Sequence, residues 1–155
     1  MKQPELDKIK QTAQEFFEQA GLEVEVQVNN PQEATVPIIL TTQDPQILIG
    51  ERGQTLNEIQ KLLRSIIKKR IETPDHFYVD IDVNDYKKKK TEYLSETART
   101  AADEVALMGE EKELQPMTAY ERRIVHMALA QRPDIVTESV GEYQERRVII
   151  KPAQL

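Results

Sequence analysis

Apolar residues recur at helical spacing over residues 5–20, where Leu6, Ile9, Ala13, Phe16, Phe17 and Ala20 share a face and Gly21 ends the run. The period then drops to two. Leu22, Val24, Val26 and Val28 alternate with Glu23, Glu25 and Gln27, which predicts a strand with one face in solvent. Asn30-Pro31-Gln32 turns the chain into a second strand over 34–42, and Pro37, which has no donor for a ladder, places that strand at an edge or at a bulge. Alternation returns at 76–84, with Phe77, Val79, Ile81 and Val83 inward and Tyr78, Asp80 and Asp82 outward.

Between the second and third strands lies the stretch 44–70, DPQILIGERGQTLNEIQKLLRSIIKKR. Asp44 and Pro45 begin a short helix, which Gly50 interrupts. Glu51 and Arg52 sit between Gly50 and Gly53, and Leu56, Ile59, Leu62, Leu63, Ile66 and Ile67 then mark one face of a long helix that Thr73-Pro74 ends. The reading is helix, Gly-x-x-Gly turn, helix. Free amides and the positive end of the second helix's dipole face whatever lies over the turn, which suits a phosphate. Lys61, Arg64 and Lys68 extend a positive track along the polar side of that helix.

A second unit begins after Asn84. Asp85 caps a helix whose narrow stripe (Tyr86, Tyr93, Leu94, Thr97, Ala98, Ala101, Ala102, Val105, Ala106) runs to Gly109. The run Lys87–Lys90 reads either as a solvated face or as a phosphate contact. After a polar connection at 110–115, Thr118 and Glu121 form a capping box for a helix with Tyr120, Ile124, Met127 and Ala128 in step. Arg122 and His126 are four apart on it and share a face. Arg132-Pro133-Asp134 closes the helix, and two strands, 135–140 and 143–151, turn at Gly141-Glu142 as a hairpin.

The whole is an α+β chain with two domains, 1–84 and 85–155. Its first-domain order, α-β-β-α-α-β, fits a three-stranded sheet covered by helices on one face. The bare face then carries Glu23, Glu25, Asp80 and Asp82, read as solvated carboxylates that repel a polyanion rather than as a cation site. There are no cysteines and two distant histidines, His76 and His126, so neither disulfides nor a metal centre is expected, and no cofactor. No apolar run has the length of a membrane span, and the N-terminus has no signal-like apolar segment, so the cytoplasm is the expected compartment. The net charge is −6: residues 1–84 hold 9 Lys/Arg against 14 Asp/Glu, a balance of −5, and residues 85–155 hold 12 against 13, a balance of −1. Nucleic-acid binding must then use local basic spots and be weak and strongly salt-sensitive.

The element order, with Ile49-Gly50-Glu51-Arg52-Gly53 between adjacent helices, resembles a type II KH domain, in which such a turn clamps about four single-stranded nucleotides. That resemblance implies a base groove floored by Ile47, Ile49 and the 38–40 region; Glu51 departs from the usual basic pair. PMTAYERRIVHMAL with GEYQERRVIIKP is similar to the bacterial form of the domain family named for an arginine, three residues and a histidine. The two in this order resemble the Jag family, also called KhpB or SpoIIIJ-associated proteins, over about residues 5–152. A separate N-terminal Jag module is not expected, since the KH pattern begins near residue 5, and Thr118-Ala119 before Tyr-Glu-Arg-Arg departs from the family's pattern. The resemblance implies single-stranded RNA, or single-stranded DNA, as ligand, a small KH-only protein as partner, and roles in cell shape or envelope regulation. Arginine's planar fork and a histidine one turn away suit a phosphate. The expected contacts are Ile49, Gly50, Glu51, Arg52, Gly53, Lys61, Arg64, Lys68, Tyr120, Arg122, Arg123, His126 and Arg147. A protein–protein adaptor with incidental basic spots is the alternative. An enzyme is not expected, because no Gly-x-x-x-x-Gly-Lys-Ser/Thr and no metal-ligand spacing occurs and His126 is the one obvious proton carrier.

Overall fold

The computed structural model describes residues 1–73 and 76–154. The chain divides into two compact units, Met1–Lys87 and Lys88–Leu155.

In the first unit, helix α1 (Gln3–Gln19) leads to strands β1 (Glu25–Val28) and β2 (Thr35–Thr41). Helices α2 (Pro45–Ile49) and α3 (Gln54–Arg70) and strand β3 (Tyr78–Val83) follow. Gly21, at φ 73°, ends α1 in a left-handed turn that lets its own N–H reach the Glu18 carbonyl and the Leu22 N–H reach that of Phe17. The strand order is β1-β2-β3, antiparallel then parallel, with Val36 opposite Val79 and Ile38 opposite Ile81. Alternation along each strand puts Val26, Ile38, Leu40, Val79 and Ile81 on one face, where they pack with Ile9 and Phe17 of α1 and Leu63 and Ile67 of α3. Phe17, Ile38, Leu63 and Ile81 are wholly buried, each worth about 1.5–3 kcal/mol in transfer from water.

Pro37 corrects one expectation. Its strand, β2, is central, with partners on both sides. The proline is tolerated because β1 stops at Val28, opposite Ile38; beyond that end, Asn29 donates to the Pro37 carbonyl and the missing N–H falls where the ladder has finished. Pro74 lies outside the described residues, and α3 has already ended at Arg70. The carboxylates of β3 also have tasks that alternation alone does not disclose. Asp80 pairs with Lys87, and Asp82 accepts from the N–H of Lys87 at 3.2 Å. Asp82 therefore serves the start of helix α4 (Tyr86–Met108), the part assigned by sequence to Asp85. Asn84, at φ 48°, exchanges two hydrogen bonds with the Thr42 backbone and ties the ends of β3 and β2 together.

In the second unit α4 presents Ala98, Ala101, Ala102 and Val105 to a sheet of order β4-β6-β5 and to helix α5. These elements are β4 (Lys112–Glu113), α5 (Ala119–Leu129), β5 (Ile135–Val140) and β6 (Arg147–Pro152). Val148 and Ile150 of the central strand β6 face Val125 and Leu129 in the core. Strand β4 replaces part of the expected polar connection; two residues are too few to show alternation, and both are charged, as suits an edge. The final strand starts at Arg147 rather than Tyr143, because Tyr143–Glu145 form a 3₁₀ turn inside a six-residue loop.

Candidate nucleic-acid interface

The glycine turn is held open to solvent by its own stereochemistry. Gly50, Arg52 and Gly53 have φ of 70°, 55° and 77°. A Cβ on Gly50 would overlap the Thr55 hydroxyl, which excludes a side chain there, and one on Gly53 would lie 3.2 Å from the Tyr86 hydroxyl and be strained by its φ. Arg52 adopts the left-handed region without that freedom. Glu51 and Arg52 project into solvent at the tip. Asp44 does not cap α2 with its side chain; its N–H donates instead to Thr42 Oγ1 at 3.3 Å. The Gln54 N–H donates to the Glu51 carbonyl, and the other N–H groups of the first turn of α3, which have no acceptor within that helix, follow directly behind the tip.

From this turn α3 runs along the free edge of β3. Gln60 Oε1 accepts from the Ile81 N–H at 3.1 Å, and the Arg64 guanidinium lies over the Tyr78 ring, 4.8 Å from its centre. Tyr78 is 54% exposed, so a ring and a cation stand together beside strand backbone. The sequence pattern treats Tyr78 merely as an outward strand residue; its signal was an aromatic among Asp80 and Asp82 on the solvent face. Lys61 pairs with Glu58 at 3.1 Å and Lys68 is exposed. Helical rise puts Lys61, Arg64 and Lys68 about 12, 16 and 22 Å beyond Gly53 along the axis, so these three extend away from the turn rather than converge on it.

Ile49 is a correction. It is only 8% exposed and belongs to the core, as do Ile38 and Leu40, whereas Ile47 is 58% exposed. The five-residue α2 has too little circumference to expose both isoleucines, and the inward residues of a central strand cannot floor a groove.

In the second unit Thr118 accepts from the Glu121 N–H and Glu121 Oε2 accepts from the Thr118 N–H at 2.8 Å, a complete capping box. Glu121 is buried and its other oxygen meets Lys90 at 3.0 Å. Two of the four consecutive lysines, Lys87 and Lys90, thus hold internal carboxylates, while Lys88 and Lys89 are exposed. Around the outer half of α5 stand Arg122, His126, Arg123, Met127 and Tyr120 in angular order. Arg122 is half-buried and spends one N–H of its fork on the Met117 carbonyl at 2.8 Å. His126 is held at both nitrogens: Nδ1 is 2.8 Å from Thr137 Oγ1 and Nε2 is 2.7 Å from Ser139 Oγ. Burial first, and then the Arg122 charge, push its pKa below the ordinary histidine value. The ring is therefore neutral at pH 7, donating to one hydroxyl and accepting from the other. Arg123 and Tyr120 are exposed beside this pair.

Arg147 is placed elsewhere. Val148 and Ile150 face α5, so Arg147 lies on the opposite face of the sheet, where it meets Glu145 at 3.0 Å and Glu113 at 3.7 Å. Thr137 and Ser139, across from Ile150 and Val148, point to the His126 side and were not anticipated. Their signal was two hydroxyls at alternate positions of a strand. Among the described residues no group of His, Cys, Asp or Glu could hold a metal ion, and no helix is long and apolar enough to cross a membrane.

Residues 6–100 match the family model of a KH domain, and residues 92–152 match that of the domain named for arginine, three residues and histidine. The chain is 34% identical over 145 residues to the RNA-binding protein KhpB of Clostridium symbiosum, covering 93% of this chain and 64% of that protein. It is 34% identical over 119 residues to the RNA-binding protein KhpB of Bacillus subtilis strain 168, covering 75% of this chain and 56% of that protein. With the RNA-binding protein KhpB of Streptococcus pneumoniae the identity is 28% over 130 residues, 83% of this chain and 39% of the relative. The chain thus spans less than two thirds of the length of these relatives.

Proposed function

The chain belongs to the KhpB (Jag) family, a KH domain followed by an Arg-x-x-x-His domain, and from that premise we propose that it binds single-stranded RNA without catalysing a reaction. The observation that carries the reading is the exposed Gly50–Gly53 turn. Its positive-φ glycines put the first turn of α3, whose N–H groups beyond Gln54 have no acceptor within that helix, directly behind an exposed tip, which suits a phosphate. Arg52 adds charge at the tip, and Arg64 stacked on Tyr78 offers a ring and a cation further along the strand's path.

In the second unit the anion is met by the remaining N–H groups of Arg122 and by Ser139 or Thr137. His126 acts through these hydroxyls: a neutral ring that donates to one oxygen leaves that hydroxyl's own hydrogen free to point outward. Histidine's part is thus to orient donors rather than to carry charge. Arg123 and Tyr120 form the rim. None of these contacts reads a 2′-hydroxyl, so single-stranded DNA is a competing ligand.

The test is fluorescence anisotropy with a labelled 12-nucleotide RNA, for the wild type and Arg122→Ala, across a salt series. Loss of one charge-assisted contact weakens binding by about tenfold. No RNA affinity at low salt would overturn the proposal and favour a protein–protein adaptor; an Arg122→Ala variant that folds and binds like wild type would remove the second site.

A further inference from the structure

We propose that Tyr143, at the tip of the loop between β5 and β6, is a stacking platform for an unpaired RNA base next to the Arg122–His126 pair. The inference rests on the RNA-binding reading above and adds to it a residue that the helix motif does not contain. Tyr143 is 92% exposed, the most exposed of the large apolar side chains described. A ring of this size left in water makes no packing contribution within the chain and keeps both faces available.

Its surroundings are nonetheless fixed. Arg146 Nη1 donates to the Gly141 carbonyl at 2.7 Å, the Glu145 N–H to the Glu142 carbonyl at 3.1 Å, and the Arg146 N–H to the Tyr143 carbonyl at 3.3 Å. Gly141, at φ 89°, brings the Glu145 carbonyl so close that a Cβ there would be 2.9 Å from it. Tyr143 itself is held at φ 50°, a conformation that few side-chain-bearing residues adopt. A braced loop that displays a bare ring has its backbone preorganised for stacking, because little backbone freedom remains to be lost on contact.

The loop also belongs to the same locality as the arginine–histidine pair. The Met117 N–H donates to the Arg146 carbonyl at 3.0 Å, while the Met117 carbonyl accepts from Arg122. At the other end of the loop, Ser139 is both the partner of His126 and two residues from Gly141. One end of the loop is therefore tied to the residue that holds Arg122, and the other to the residue that His126 orients. A phosphate at this pair leaves the attached base beside the loop, and any base presents a π-face to a ring.

The experiment uses the full chain with three proteins and two strands. Wild type, Tyr143→Asn and Tyr143→Phe are titrated against a labelled 12-nucleotide RNA of mixed sequence and against the same strand with every base removed. Asparagine tolerates the left-handed backbone, so the loop is kept while the ring is lost. The expected result is that Tyr143→Asn binds the base-bearing strand about five- to a hundredfold more weakly, and Tyr143→Phe binds as wild type. On the abasic strand all three bind equally. Equal binding of Tyr143→Asn and wild type to the base-bearing strand, or an equal loss on both strands, overturns the stacking role. Failure of wild type to bind either strand at low salt overturns the RNA-binding reading and this inference with it, which would leave a protein surface as the partner of Tyr143.

Discussion

Reversing one charge at the tip of the glycine turn changes RNA affinity about tenfold while leaving the turn folded. The glycines themselves are poor targets, since a side chain on Gly50 collides with Thr55, 2.7 Å from its Cβ, and one on Gly53 presses on Tyr86. Glu51 and Arg52 are exposed and replaceable. A phosphate cradled by the turn lies roughly 5 Å from each side-chain charge, where one unit charge is worth about 0.8 kcal/mol in water and several times that at lower dielectric. Glu51→Lys alters the local charge by two and so strengthens binding by about 1.6 kcal/mol, roughly fifteenfold at low salt and about fivefold once screened at physiological ionic strength. Arg52→Asp weakens it by a similar factor, and aspartate accepts the φ of 55° found there. Anisotropy titrations at about 50 and 200 mM salt measure both. The slope of log affinity against log salt steepens by about 0.7 for Glu51→Lys, the increment for one more neutralised phosphate on a single strand. If both variants unfold at the wild-type urea midpoint yet bind within twofold of wild type, with unchanged slopes, no phosphate sits on the turn.

Two further outcomes concern the second unit. The lowered pKa of His126 means that the unfolded chain binds its proton first, so stability is full above the ordinary histidine value and falls as pH drops through about 6.5 toward the folded value. Urea midpoints between about pH 8 and 5 should show a slope no steeper than about 1.4 kcal/mol per pH unit, absent in His126→Asn; a wild type as flat as the variant refutes the neutral, half-buried ring. Lys90→Met removes the partner of the buried Glu121 and should cost about 2 kcal/mol in urea unfolding, with Lys90→Met/Glu121→Gln recovering much of it, because glutamine keeps the capping box but carries no charge. An unchanged midpoint for Lys90→Met would show that the pair contributes nothing.

Periodicity carried most of the fold. Alternation at 24–28 and 77–83 and the helical stripes at 5–20 and 54–70 mark elements whose one buried face must meet another, and the two glycines around Glu51-Arg52 mark a turn that only their φ values permit. Periodicity did not disclose neighbours. Pro37 argues for an edge strand only if β1 extends past it, and where β1 stops is decided by the turn at 29–34. Arg147 is legible as the start of a strand, but its face follows from the burial of Val148 and Ile150, which is set by a register that the loop at 141–146 controls. Arg122 and His126 were legible as a pair because four residues on a helix always share a face. The hydroxyls that occupy the ring come from a strand eleven and thirteen residues away, a distance no local pattern spans.

These placements also change what the overall charge implies for binding. A chain with net charge −6 repels a polyanion at long range, and from sequence that argues for steep salt dependence. Salt dependence, however, counts only phosphates neutralised by cations. At the glycine turn the proposed donors are backbone amides, and in the second unit two hydroxyls set by an uncharged imidazole stand beside Arg122 and Arg123. Lys61, Lys87 and Lys90 are committed to carboxylates of the chain itself. With Arg52, Arg64, Arg122 and Arg123 as the cations that meet the strand, the slope should be about −3, shallow for a nucleic-acid binder. Added salt also screens the repulsion from the acidic surface, which flattens it further. A slope several units steeper would mean that lysines, whether the exposed Lys68, Lys88 and Lys89 or those now paired with carboxylates, also meet RNA, and that amides and hydroxyls are not the principal donors.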